Sequence, residues 1–160
     1  MKRLLTALVA ASAAFIVLLT PTAAQAAPFV QGDFGAYPNE NSYPTVAGCS
    51  GTFSLPSDMP GGPVQYGDWE GHHVKLEFYY SSRCGAYARI SNAPGSCQAT
   101  IQRDANGDRR EEGRMWETVD PGDNFAYTRI ANNLNGRLAR ALLVCNTATS
   151  GNLVASTDWY

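Results

Sequence analysis

His73-Val74-Lys75-Leu76-Glu77-Phe78-Tyr79-Tyr80 alternates in part between apolar and polar residues and is rich in side chains that favour extended backbone. Working outward, runs of similar length at 87–92, 97–103, 114–119, 125–131 and 154–160 share this character. Turn signals separate them: Asn92-Ala93-Pro94-Gly95, Asn106-Gly107, Pro121-Gly122-Asp123 and Asn135-Gly136. Short strands at this spacing predict an all-β fold, a single disulfide-bonded antiparallel β-sandwich or small barrel. Residues 137–144 admit two readings. Their Leu and Ala content favours a helix, whereas the flanking turns favour another strand, and we take them as strand.

Before Trp69 the composition differs. Residues 27–68 are rich in Gly, Pro, Ser, Asn and Asp, as in Tyr37-Pro38-Asn39 and Pro56-Ser57-Asp58-Met59-Pro60-Gly61-Gly62-Pro63. Such residues break helices and central strands, so the segment reads as an ordered but irregular N-terminal arm with one short strand at 52–55. The β-domain proper is expected over 69–160. Residues 1–26 read as a secretory signal peptide: Lys2 and Arg3, an apolar run from Leu4 to Leu19, then Ala24-Gln25-Ala26 with cleavage expected after Ala26. The expected product is secreted and extracellular, with no membrane insertion after cleavage.

Removing Lys2 and Arg3 from the 12 basic residues leaves 10 against 14 acidic ones, a formal charge of −4. A mildly acidic product has no electrostatic attraction to nucleic acid or anionic lipid, and neither is expected as a partner. Cys49, Cys84, Cys97 and Cys145 form an even set delivered to an oxidising compartment, which reads as a disulfide framework. If 87–92 and 97–103 make a hairpin around Pro94-Gly95, Cys84 lies at its open end and Cys97 near its turn. At roughly 3.3 Å per residue they stand roughly 20 Å apart, beyond the roughly 6 Å between Cα atoms that a disulfide spans. Cys84–Cys97 is thereby disfavoured, and Cys49–Cys145 with it. Two pairings remain: Cys49–Cys84 with Cys97–Cys145, or Cys49–Cys97 with Cys84–Cys145.

The residues that bear chemistry form no recognisable catalytic set. His72 and His73 are the only histidines, and as neighbours on a strand they point to opposite faces. A zinc site would need carboxylates beside one of them, and there is no Gly-x-Ser-x-Gly elbow to serve a Ser-His-Asp arrangement. Asp104-Ala105-Asn106-Gly107-Asp108 begins like a calcium loop, but its sixth position is Arg109 and its twelfth is Met115, so a hairpin turn is the expectation. Glu70, Glu77, Glu111, Glu112 and Glu117 read as solvated charges, with no spacing that selects a pair for glycoside cleavage. No metal and no cofactor is expected. The aromatics are more suggestive. Ala86-Tyr87-Ala88-Arg89-Ile90-Ser91-Asn92 recurs as Ala126-Tyr127-Thr128-Arg129-Ile130-Ala131-Asn132, which implies two strands in equivalent environments. Tyr79, Tyr87, Arg89, Trp116, Tyr127 and Arg129 are the candidate binding residues for a protein or glycan partner.

The segment from Val74 to Ile90, with Tyr80-Ser81 ahead of Cys84 and then Tyr87-Ala88-Arg89-Ile90, resembles the signature of the YjfA-like family. These are small exported proteins of Gram-positive bacteria that form a domain of unknown function. Ala47-Gly48-Cys49 and Thr157-Asp158-Trp159-Tyr160 resemble the family's flanking elements, so the likeness extends over 47–160. Cys97 departs from the family pattern. The resemblance implies export and a disulfide-bonded domain, and it carries no catalytic residue across. The function expected is therefore non-catalytic binding at the cell envelope or in the medium. The alternatives are a secreted hydrolase using His72 or His73 and a secreted protease inhibitor presenting the loop 55–63.

Overall fold

The computed structural model describes residues 29–32, 34–146 and 151–160, and the segment read as a signal peptide lies outside them. Among the described residues nine strands follow in chain order: β1 (Phe29–Gln31), β2 (Val64–Trp69), β3 (His72–Ser81), β4 (Gly85–Ser91), β5 (Cys97–Asp104), β6 (Gly113–Thr118), β7 (Phe125–Tyr127), β8 (Leu138–Cys145) and β9 (Asn152–Ser156). They form two antiparallel sheets, one ordered β1-β6-β5-β8-β9 and one ordered β2-β3-β4-β7. The sheets pack face to face as a sandwich, as the sequence reading expected.

The partial alternation of the β3 segment explains the packing. Val74, Leu76 and Phe78 are fully buried, and β4 sets Ala86, Ala88 and Ile90 beside them. From the other sheet come Ala99, Ile101, Met115, Ala139, Ala141 and Leu143. Removing a Leu, Ile or Phe side chain from water stabilises the fold by about 2 kcal/mol. The segment read as strand over 137–144 is β8, Leu138–Cys145, because Ala139, Ala141 and Leu143 sit at alternate positions on its inner face. The alanines that gave the segment its helical look are small because β8 packs against the Ala86 and Ala88 row of β4.

Several elements differ from the sequence expectation. Two strands lie within the segment read as irregular: β1 pairs with β6, and β2 pairs with β3 from Val64↔Glu77 to Trp69↔His72. Gly67 masks β2 in the sequence, yet the position has room only for glycine, since a Cβ there would meet Val154 Cγ1 at 2.4 Å. The β2–β3 connection is the two-residue turn Glu70-Gly71 with φ of 49° and 79°, the left-handed geometry a tight hairpin requires. The strand expected at 52–55 is a single bridge, Ser54↔Tyr80. Asn106-Gly107 falls in a longer loop, 105–112, in which the buried Asp104 accepts backbone N–H groups of Asn106 at 3.0 Å and Gly107 at 2.7 Å. That carboxylate is aimed at backbone donors, which organises the hairpin.

The disulfides are Cys49–Cys84 and Cys97–Cys145, one of the two pairings left open. Cys97 and Cys145 are direct cross-strand partners of β5 and β8. Cys49–Cys84 ties the arm to the end of β3. A second tether is ionic: Glu40 on the arm pairs with Arg103 of β5, their side chains 0% and 4% exposed. The guanidinium also lies against the rings of Phe34, at 4.5 Å, and Tyr37, at 5.5 Å.

Candidate functional site

The register of the four-stranded sheet decides which side chains meet. Across β3 and β4, Glu77 pairs with Arg89 and Tyr79 with Tyr87; across β4 and β7, Arg89 pairs with Tyr127 and Ser91 with Phe125. Directly paired residues share a face, and Val74, Leu76 and Phe78 have taken the inner one. Tyr79, Tyr87, Arg89 and Tyr127 therefore gather on the outer face. The echoed Tyr-x-Arg motifs are thus antiparallel neighbours, with Arg89 of the first opposite Tyr127 of the second. Arg129, just beyond β7, joins them from the side: its guanidinium lies 4.9 Å from the Tyr43 ring and donates to Asn41 O and Oδ1, each at 3.3 Å. Trp116 does not join. It sits on β6 beside the core residue Met115 and opposite Thr100, on the outer face of the five-stranded sheet.

At the centre of the tyrosine face lies Glu77. The sequence reading took it as a solvated charge, but it is 4% exposed. Lys75 Nζ approaches Oε1 at 2.6 Å, Tyr79 donates to the same oxygen at 3.4 Å, and Arg89 Nη1 stands 3.7 Å from Oε2. Spacing of two on β3 and the direct cross-strand position on β4 bring these donors over the carboxylate, so burial and compensation come together. The hydrogen bond to Glu77 raises the Lys75 pKa. Tyr79 and Tyr87 stack at 4.9 Å with 4° between planes, while Phe53 and Tyr127 meet Tyr87 edge-on at 5.0 and 6.4 Å. Burial, and then the Tyr79 ring beside it, push the Tyr87 hydroxyl up to about 12.

At the β7 edge this face runs into a cleft of about 390 Å³. Three segments build it. The arm supplies Tyr43, β7 supplies Phe125 and Tyr127, and the end of β6 with its following turn supplies Glu117, Asp120 and Asp123. Pro121-Gly122 sits at the middle of that turn, with Gly122 at φ 94° and Asp123 N donating to Asp120 O at 3.0 Å, so both aspartates stand at the ends of one tight turn. Glu117 is paired with the core residue Ala99 and so faces the space between the sheets. Its carboxylate accepts from the Tyr43 hydroxyl at 3.2 Å, and burial raises its pKa despite that bond and the nearby Arg129. The aromatic walls are Tyr43 edge-on to Tyr127 at 6.1 Å and Phe125 parallel to Tyr127 at 6.4 Å.

The remaining candidates are placed elsewhere. His73 lies at the far end of β3, stacked on Tyr66 at 4.9 Å, with Nδ1 2.7 Å from Asp68 Oδ1. The two side chains of that pair are 65% and 83% exposed, so it stands on open surface. His72, its strand neighbour, points to the opposite face, opposite Trp69. The loop 55–63 is anchored: Met59 is 5% exposed within the core, Pro63 O accepts from Phe78 N at 2.8 Å, and Tyr160 OH donates to Asp58 at 2.9 Å. Among the described residues no group of three or more His, Cys, Asp or Glu side chains is arranged to hold a metal ion, and no helix is long and apolar enough to cross a membrane.

Sequence reasoning missed Tyr43, Phe125, Asp120 and Asp123 as site residues. The signal was partly present, because Pro121-Gly122-Asp123 directly precedes Phe125 and Tyr127. No family model, no curated protein and no solved structure matches this chain.

Proposed function

We propose that the protein is an exported, non-catalytic binding domain whose ligand sits on the outer face of the four-stranded sheet and in the cleft at its β7 edge. The observation that carries this reading is the convergence of Tyr79, Tyr87, Arg89, Tyr127 and Arg129 on one face that ends in a walled, aromatic cleft. A volume of about 390 Å³ suits one sugar ring or one amino-acid side chain of an envelope polymer, glycan or protein. Export is supported by the signal-like leader, by the two disulfides and by the resemblance of 74–90 to exported YjfA-like proteins.

The exposure of the His73–Asp68 pair weighs against the hydrolase reading, because a general base works best in a site that excludes water from the reacting group. The burial of Met59 weighs against the inhibitor reading, which needs a loop free to enter a protease. The test is titration of the oxidised protein with solubilised envelope fragments, followed by nuclear magnetic resonance. Shifts clustered at Tyr43, Tyr87, Phe125 and Tyr127, with the fragments recovered intact, support binding. Turnover that vanishes in His73→Ala overturns it.

A further inference from the structure

Resting on the binding site just described, we infer that the β7 cleft is an aromatic cage for an organic ammonium group, carried by a ligand such as an amino sugar, a lysine-type side chain or a quaternary amine. Three rings, Tyr43, Phe125 and Tyr127, stand at the cleft from two separate segments of the chain. Phe125 and Tyr43 are 38% and 41% exposed, so these aromatics are not spent on the core. An aromatic face carries negative charge density, and a cation within about 6 Å of such rings is attracted to them, most strongly where water is excluded. Tyr43 already serves a cation in this way, since the Arg129 guanidinium lies 4.9 Å from its ring.

The polar groups at the cleft have the matching sign. Glu117, Asp120 and Asp123 all line it. Neither Asp120 nor Asp123 forms an ion pair among the described residues, and Glu117 accepts from the Tyr43 hydroxyl with Arg129 nearby. Two cations stand nearby: Arg129 is turned to Asn41 and to Tyr43, while Arg89, opposite Tyr127, is offset by Glu77. Three carboxylates against one guanidinium leave a formal charge of 1 − 3 = −2 around the cleft when Glu117 is ionised. An anionic ligand would meet repulsion there, and a neutral one would leave the aspartates without a complementary charge. An ammonium group answers both the rings and the carboxylates.

The test is a titration of the oxidised protein with choline, Nα-acetyl-lysine methylamide and glucosamine, set against the neutral carbon isostere of choline. Ring proton signals of Phe125 and Tyr127 are the readout. The isostere is expected to bind about tenfold more weakly than choline, since the rings and the carboxylates both act on the charge. Added salt is expected to weaken the cations alone. Asp123→Asn and Phe125→Leu alter exposed positions and spare the core; each is expected to weaken the ammonium probes severalfold while leaving the unfolding midpoint in place. Choline alone, or the two primary amines alone, binding at these rings identifies the source of the ammonium and supports the inference. Equal shifts with choline and its isostere overturn the ammonium inference and leave the binding reading standing. No shift at these rings with any probe, together with none from neutral envelope fragments, overturns both.

Discussion

Glu40→Ala tests how the arm is held, and the structure allows its cost to be worked out. The Glu40 carboxylate is fully buried and accepts from Arg103 Nη1, from Gly35 N at 3.0 Å and from Asn132 N at 3.3 Å. Removing it takes the ion-pair partner from a guanidinium that is only 4% exposed and the acceptor from two backbone amides. Breaking a buried ion pair from one side costs about 3–5 kcal/mol, and the stranded amides fall within that penalty because the site relaxes as one unit. With an m-value of about 1.5 kcal/mol/M in urea, a loss of about 4 kcal/mol lowers the midpoint by about 2.7 M. The assay is urea unfolding of the disulfide-intact protein, followed by tryptophan fluorescence. Glu40→Met combined with Arg103→Met removes both charges, so this double variant is expected to be more stable than Glu40→Met alone, with a coupling energy of about 3 kcal/mol across the cycle of the two Met singles. A Glu40→Ala cost below about 1 kcal/mol, or a double variant equal to the sum of the singles, refutes this account of the tether.

Three further outcomes follow from the fold. Replacing Cys49 and Cys84 by Ala, or Cys97 and Cys145 by Ala, opens loops of 35 and 48 residues, and each loss is expected to cost about 4 kcal/mol in the chain-entropy picture; hydrogen exchange should then rise first in the arm for the former pair and in β5 and β8 for the latter. Gly67→Ala drives a Cβ into Val154 and is expected to cost about 2 kcal/mol by thermal unfolding, partly recovered by adding Val154→Ala. Tyr87 and Tyr160, two of the eight tyrosines, have hydroxyls pushed up from 10 to about 12, chiefly by burial. Because the raised value favours the protonated form in the fold, their contribution is fully present below pH 10 and is lost as pH rises toward about 12. Phenolate absorbance should therefore show one late phase with the amplitude of two tyrosines, halved in Tyr87→Phe.

Much of the fold was legible because strand periodicity and turn residues are local signals. The β3 segment was marked out by its partial alternation, and Asn135-Gly136 adopts the φ of 59° and 85° that its sequence suggests. What failed were features set by partners distant in sequence. Gly67 reads as a strand breaker until β9 is placed against it. Glu77 reads as solvated until Lys75, Tyr79 and Arg89 close over it. Trp116 matches the tyrosines in composition, but strand order assigns β6 to the other sheet, and no local signal gives strand order. The cleft was hidden for the same reason, since Tyr43 reaches it along an irregular arm held by Cys49–Cys84 and by Glu40.

The most direct measurement is the aromatic proton spectrum of the oxidised protein during titration with a soluble, amine-bearing envelope polymer, with the polymer's integrity checked afterwards. The account predicts saturable shifts of Tyr43, Phe125 and Tyr127, smaller ones at Tyr87, none at Trp116, and polymer of unchanged length. Shifts confined to Trp116 and the five-stranded sheet, or cleavage of the polymer, would contradict it.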